Sequence, residues 1–169
     1  MSRRKKLFLN EDLILIVHNY PVPWIQAINI GIIYGVLPHE FGVFVRSAAQ
    51  LDRAQATVTK AGMAFKILDE HVETTSGHVS ISTMHLAKGL EFCTVVVLAC
   101  DDAIIPLQER IETVGDDADL KEVYDTERHL LYVACTRARD HLLVTGVNPA
   151  SEFLDDFMGG DKVSAASSF

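Results

Sequence analysis

The chain has 169 residues, of which 49% are hydrophobic and 22% are charged. This is the composition of a folded domain rather than a disordered segment. Because domains span roughly 100–200 residues, the length predicts about one domain, whose core needs no disulfide or metal to hold it. Fifteen Lys and Arg against 23 Asp and Glu give a formal charge of −8, which excludes a small basic domain that binds nucleic acid through its overall charge. Any nucleic-acid contact must be a local site.

The cysteines and histidines form no pattern of a metal site or a disulfide framework. Cys93, Cys100 and Cys135 are an odd number without C-x-x-C spacing, and the seven histidines show no paired-ligand spacing. We therefore expect reduced, buried thiols, no metal and a cytoplasmic location.

Residues 1–40 contain an apolar-rich stretch but no motif that indicates chemistry. A membrane-spanning helix needs about 18 consecutive apolar residues, and the stretch at 13–37 is broken by six residues: His18, Asn19, Pro21, Pro23, Gln26 and Asn29. We expect no membrane segment and no signal peptide. The pattern instead predicts a strand at 13–17, a proline-marked turn and a second apolar segment around 25–36.

From residue 41 onward, short apolar runs alternate with helical patterns. The apolar runs predict strands at 42–46, 64–68, 79–82, 94–99 and 141–146, and the β-branched run at 94–99 is typical of a central parallel strand. Ser47 and Gly62 predict the start and the end of a helix at 48–61. One or two helical turns are expected at 84–90, and an ordered loop with a short helix at 104–117.

The longest helix is predicted over 119–138, where apolar residues recur at helical spacing. Asp119 with Glu122 forms a capping-box-like pair at its start. The tail, 148–169, loses the pattern and is expected to fray. Alternating strands and helices predict an α/β fold, with a mainly parallel β-sheet flanked by helices in three layers.

Two strings are more specific than any periodicity. Residues 79–92 read VSISTMHLAKGLEF, and residues 127–139 read ERHLLYVACTRAR. They resemble motif V and motif VI of the UvrD/Rep-type superfamily 1 DNA helicases, in the family's order. The string VFVRSAAQ at 43–50 is similar to a weaker family segment. The resemblance covers about 41–147 and leaves 1–40 as a segment unlike the family. It implies a RecA-like domain, the second of the two motor domains between which these enzymes clamp ATP with Mg²⁺.

The sequence lacks the phosphate-binding half of such a motor. No G-x-x-x-x-G-K-[ST] string occurs in the 169 residues, so the loop that cradles the nucleotide phosphates is missing. Asp101 and Asp102 follow the strand at 94–99, but in the family this position follows motif V, so we expect an ordinary strand-end loop there. ATP would be bound mainly by a phosphate-loop domain supplied in cis or in trans, and this chain alone should be inactive as an ATPase.

The resemblance assigns the nucleotide contacts to four residues. Arg137 matches the arginine finger, which would stabilise charge on the transferred phosphate. Glu91 matches a nucleotide contact, Lys88 could share a helical face with it, and Gly89 would let the backbone approach a ligand or turn. A structural alternative for Arg137 is a helix-end arginine that favours the C-terminal dipole, a role that fits Arg139 better.

The resemblance assigns single-stranded DNA contacts to Thr83 and His85, and a DNA or domain-interface contact to Arg46. A hydroxyl can bind a phosphate oxygen, and an imidazole can bind phosphate or stack on a base. For a lone histidine at a strand end, a purely structural role is the alternative.

Glu127 and Arg128 open the second string and are expected to support the site. Glu127 falls on the apolar face of the predicted helix, and a buried carboxylate needs a partner. We expect it to pair with a basic side chain from a neighbouring segment and to help position Arg137. His129 stands where many relatives carry a second arginine.

Two functions are therefore open. The chain is the C-terminal motor-domain portion of an ATP-dependent 3′–5′ DNA helicase or translocase, with DNA and a phosphate-loop domain as partners. Alternatively, it is a non-catalytic module that keeps the fold and only binds DNA or a protein.

Overall fold

The computed structural model of the chain describes residues 5–10, 13–17, 35–147 and 149–158. Seven strands lie in these residues: β1 Lys5–Asn10, β2 Leu13–Val17, β3 Phe41–Val45, β4 Phe65–Ile67, β5 Val79–Thr83, β6 Phe92–Val97 and β7 Ala138–Val144. The α-helices are α1 Leu51–Lys60, α2 Gln108–Glu112 and α3 Asp117–Cys135. Short 3-10 helices form at Pro38–Glu40, Ala48–Gln50, Met84–Leu86 and Glu152–Met158. The turn predicted at Pro21 and Pro23 lies outside the described residues.

The main sheet has five parallel strands in the order β4-β5-β3-β6-β7, and β1 and β2 form a separate antiparallel pair. The middle strands are buried on both faces, as expected for a parallel sheet with helices on both sides. One face, with Phe44, Val95 and Val97, packs in a cluster with Leu131 of α3. The other face packs against α1. The predicted α/β fold with three layers and a parallel sheet is confirmed.

The parallel topology separates two edges of the sheet. The carboxyl ends of β3 and β5 lead into Arg46 and Met84, and Val45 pairs with Thr83. The amino ends of β6 and β7 lie at the opposite edge, where Phe92 pairs with Ala138. The segment between Thr83 and Phe92 therefore crosses the sheet from one edge to the other.

Several boundaries differ from the sequence-based expectations. Helix α3 begins after Asp116, whose carboxylate accepts the N–H groups of Ala118 and Asp119, each at 2.9 Å, so the cap predicted at Asp119 is wrong. The same helix ends at Cys135 rather than near 138. Strands β6 and β7 begin and end two or three residues earlier than predicted.

Residues just after the family-like region are ordered rather than frayed. Glu152–Met158 forms a 3-10 helix in which Phe153 and Leu154 are buried. The Phe153 ring contacts Tyr124 of α3 edge to face, with 5.7 Å between ring centroids. The expected fraying is therefore wrong for 151–158, and 159–169 lie outside the described residues. No helix in the described part of the chain is both long and apolar enough to span a bilayer.

Candidate nucleotide and nucleic-acid interface

Arg137 lies between α3 and β7 at the amino edge of the sheet, beside the turn at 88–91. Its carbonyl accepts the N–H of Phe92 at 2.9 Å, and this bond joins the start of β6 to the segment that connects α3 with β7. Its half-buried guanidinium donates from Nη1 to the carbonyl of Leu90 at 3.4 Å. The two family-like strings thus meet in space at this point.

The guanidinium of Arg137 also donates to the end of its own helix. Nε donates to the carbonyl of Val133 at 3.1 Å, and Nη2 to the hydroxyl of Thr136 at 3.2 Å. A cation here complements the carbonyl end of the helix dipole. The prediction that Arg139 fits that role better is wrong: Arg139 lies in β7, where it pairs with Asp140 at 2.9 Å.

The turn beside Arg137 presents three exposed residues, Lys88, Gly89 and Glu91. Gly89 has φ +83°, and apart from its two chain neighbours no residue has an atom within 4 Å of where a Cβ would stand, so glycine is favoured by the backbone conformation rather than by lack of space. The preceding 3-10 helix ends at Leu86. Lys88 and Glu91 therefore share no helical face, contrary to expectation, and the described residues show no ion pair between them.

Thr83 and His85 lie at the opposite edge of the sheet. Thr83 ends β5, is half-exposed, and makes no side-chain cap to the 3-10 helix that follows. Met84 points into the core, which leaves His85 exposed at the surface. Partial burial and the positive charge of Arg46 lower the pKa of His85, so its imidazole is mainly neutral at pH 7.

A buried carboxylate, Glu127, lies beneath this edge. The side chain is 0% exposed and accepts both Nε and Nη2 of Arg46 in a bidentate pair. It also accepts the N–H of Leu107 at 3.2 Å and Nη1 of Arg110 at 3.0 Å. Burial acts to raise the pKa of Glu127, but the hydrogen bonds and charge of Arg46 outweigh it and keep that pKa below its usual value. Glu127 thus has the basic partner expected of it, and it ties β3, α3 and the 107–110 segment together. No described hydrogen bond joins it to Arg137, so its expected help in positioning Arg137 stays a prediction.

Arg46 is 2% exposed and its guanidinium is taken up by Glu127, so it offers no surface to a DNA strand. The position of Arg46 does not fit the expected DNA contact, and it gives this residue a structural role. Arg128 is exposed and lies over the Phe153 ring, with 4.7 Å from its Cζ to the ring centroid. Arg128 thus holds the 152–158 helix against α3.

Two contacts at the carboxyl edge were not anticipated. Asp101 accepts Nη1 of Arg53 at 2.7 Å and the N–H of Val147 at 2.7 Å, so it clasps the loops after β6 and β7 to α1. Arg110 lies in α2, and its partner Glu127 is 17 residues away on another helix. No motif or periodicity in the sequence indicates this pair. No group of His, Cys, Asp or Glu side chains in the described parts of the chain is arranged to hold a metal ion.

Comparisons with known proteins agree with the motif resemblance. Over 97 residues the chain is 38% identical to the ATP-dependent DNA helicase UvrD1 of Mycobacterium leprae, which covers 51% of this chain and 12% of that protein. Over 78 residues it is 46% identical to the putative ATP-dependent DNA helicase YjcD of Bacillus subtilis, covering 45% of this chain and 10% of that protein. The chain thus spans a small fraction of the length of these relatives.

A solved structure supports the fold. The C-terminal domain of a possible DNA helicase from Lactobacillus plantarum superimposes with a TM-score of 0.57 at 18% identity, covering 85% of this chain and 77% of that one. Residues 54–148 match the model of the UvrD-like helicase C-terminal domain. This match takes in more than half of the chain, so the protein belongs to the UvrD-like helicase C-terminal domain family.

Proposed function

We propose that this chain is the C-terminal motor-domain portion, centred on 41–147, of an ATP-dependent 3′–5′ DNA helicase or translocase. It would complete an ATP site held mainly by a phosphate-loop domain, in cis or in trans, where Mg²⁺ accompanies the nucleotide. Arg137 would act as the arginine finger. Glu91, Lys88 and Gly89 would contact the nucleotide.

The observation that carries this proposal is the contact between Arg137 and the turn at 88–91. The carbonyl of Leu90 lies 3.4 Å from Nη1 of Arg137, so one surface presents the guanidinium and the exposed carboxylate of Glu91. A finger must reach a phosphate from outside the domain that binds it. A half-buried arginine at the sheet edge can do so by exchanging three weak internal hydrogen bonds for charge-assisted ones.

Single-stranded DNA would bind at the opposite edge, through Thr83 and His85. The hydroxyl and the neutral imidazole are both accessible and have no hydrogen-bond partner among the described side chains. Because the chain has a net charge of −8, bulk attraction cannot supply this contact, and it must come from individual donors.

The test combines this chain with the phosphate-loop domain of a UvrD-like helicase, single-stranded DNA and Mg²⁺-ATP, and measures phosphate release. The wild-type chain should stimulate turnover, and Arg137→Ala should remove the stimulation, since an arginine finger contributes about 10³–10⁵ in rate. Arg137→Lys should restore little, because lysine lacks the planar fork.

Arg139→Ala is the matched control, because it removes the same charge two residues away. It should leave turnover nearly unchanged. Equal loss in both variants, or full turnover in Arg137→Ala, would refute the finger. The isolated chain should bind ATP only weakly. Micromolar or tighter affinity would contradict the proposal that the phosphate-loop domain supplies most of the ATP contacts.

A non-catalytic binding module is the second candidate. The observation that favours it is the internal bonding of Arg137, whose three hydrogen bonds could be purely structural. In that case Arg137→Ala should lower the melting temperature clearly, and the wild-type chain should give no stimulation while still binding DNA or a protein.

A further inference from the structure

We propose that Arg110 and His85 together bind one backbone phosphate of the DNA strand. This inference rests on the proposed function and deepens it, because it adds to the DNA contact a residue that neither family-like string contains. Arg110 would supply the charge, and His85 a neutral N–H donor beside it.

The charges beneath the carboxyl edge are unbalanced. Glu127 provides one negative charge and is already paired in bidentate fashion with Arg46, both side chains being at most 2% exposed. Arg110 brings a second positive charge to the same carboxylate, and its side chain remains 38% exposed. The cluster thus carries a net charge of +1, and Arg110 is the member that reaches the solvent.

Arg110 retains unused donors. Its Nη1 is bound to Glu127 at 3.0 Å, whereas the residues that the structure describes offer no acceptor to Nε or Nη2. A guanidinium with one edge fixed on a buried carboxylate is held in place while the other edge faces outward. This preorganisation lowers the entropy cost of binding an anion.

His85 lies beside this cluster because of strand register. Val45 pairs with Thr83, so the residues that follow each strand, Arg46 and Met84, leave the sheet as neighbours. Buried Met84 fixes the short 3-10 helix against α3, which carries Glu127. The electrostatic influence of the cluster on His85 agrees with this placement: after burial and Arg46, Arg110 also lowers the pKa of His85, and Glu127 opposes them.

A phosphate diester is the anion that fits. It carries a single negative charge, which balances the net +1 of the cluster, and its two free oxygens can accept from a guanidinium and an imidazole at once. A neutral imidazole donates without adding a second exposed positive charge next to Arg110.

The test is a nuclear magnetic resonance titration of the full 169-residue chain with a short oligothymidylate. The Nε–H signal of Arg110 should shift together with the His85 and Thr83 signals. Arg110→Ala should weaken binding several-fold and reduce the slope of log affinity against log salt by about 0.7, the value for one phosphate on a single strand. Arg139→Ala, which removes an equal charge at the other edge of the sheet, should change neither.

Two further variants separate phosphate binding from a structural role. Arg110→Lys should keep most of the salt slope, and Arg110→Gln should lose it although its amide can still donate to Glu127. If Arg110→Gln binds like the wild type, Arg110 acts only through Glu127 and the inference fails.

The outcomes also distinguish this inference from the function it extends. Shifts at Thr83 and His85 without any at Arg110, with unchanged affinity in Arg110→Ala, would overturn the inference and leave the DNA contact standing. No shift at any of the three residues at millimolar oligonucleotide would overturn both.

Discussion

Replacing Glu127 with glutamine tests whether the buried carboxylate holds the domain together. The substitution keeps the size and shape of the side chain but removes its charge. It leaves Arg46, which is 2% exposed, without an anion, and it turns one acceptor oxygen into an N–H₂ group that faces other donors. The perturbation is therefore electrostatic rather than steric.

The expected cost follows from the burial of both partners. Removing one member of a buried ion pair typically costs 3–5 kcal/mol, as an order of magnitude, because the remaining charge is left uncompensated. For a chain of this size each kcal/mol corresponds to roughly 2–4 °C, so the melting temperature should fall by about 6–20 °C.

The assay is urea-induced unfolding followed by circular dichroism, with thermal unfolding as a second measurement. Glu122→Gln, the same chemical change at an exposed position of the same helix, is the control and should stay within about 0.5 kcal/mol of the wild type. A loss below about 1 kcal/mol for Glu127→Gln would show that solvent reaches the pair and would refute the reasoning.

The pH dependence of the same variant gives an independent check. The pKa of Glu127 is lowered in the folded chain, so its stabilising effect is fully present above about pH 4.5, where the unfolded carboxyl titrates. It is lost as the pH falls through the folded-state pKa. The stability difference between the wild type and Glu127→Gln should therefore shrink as the pH falls below about 4.5, and a difference that stays constant would contradict the charged state assigned to Glu127.

Three further predictions concern the fold. Asp116→Ala should destabilise the domain by about 0.5–2 kcal/mol through loss of the helix cap, whereas Asp119→Ala should cost little; the reverse order in urea unfolding would restore the sequence-based cap. Gly146→Ala should cost about 1–3 kcal/mol, because a Cβ there would lie 2.4 Å from a backbone carbonyl oxygen, and wild-type stability would contradict this packing. In the native protein a thiol reagent should modify half-buried Cys93 faster than buried Cys100 and Cys135, since burial raises the pKa of all three thiols, that of Cys135 to about 12, and of the three only Cys93 is accessible; mass spectrometry showing equal modification of the buried thiols would refute it.

The parallel strands could be predicted because each is a short run of β-branched residues, but their ends could not. The apolar run predicted a strand that extends to Ala99, whereas β6 ends at Val97. Leu98, Ala99 and Cys100 are apolar because they are buried in the core, although they do not belong to the strand. Ala99 has φ +60°, which is incompatible with an extended strand. An apolar run in the sequence predicts that residues are buried, but the buried residues of this loop do not have strand geometry.

The helix ends show a different limit. Asp116, Asp117 and Asp119 are all acceptable caps by residue type, and only the backbone decides which one is used. At the carboxyl end of α3, no glycine or proline follows Cys135 to mark where the helix stops. The predicted helix therefore extends three residues too far.

The candidate site was predictable where a local string carries it and not where distant residues meet. Arg137, Glu91, Thr83 and His85 were singled out through the two strings, and their roles stay predictions. The burial of Arg46 and the role of Arg110 depend on a pair 81 residues apart and a pair 17 residues apart in sequence. The need of Glu127 for a basic partner was evident from its place on an apolar face, but the identity of that partner was not.

The crossing from Thr83 to Phe92 has a mechanical consequence. Met84 and Ala87 fix its middle in the core, while its two ends supply the groups proposed to touch DNA and nucleotide. A displacement at one end of this segment would be transmitted to the other end, because fewer than ten residues separate the two ends and no glycine before Gly89 offers a hinge. A larger side chain at Ala87, which is fully buried, should consequently disturb both ends of the crossing together.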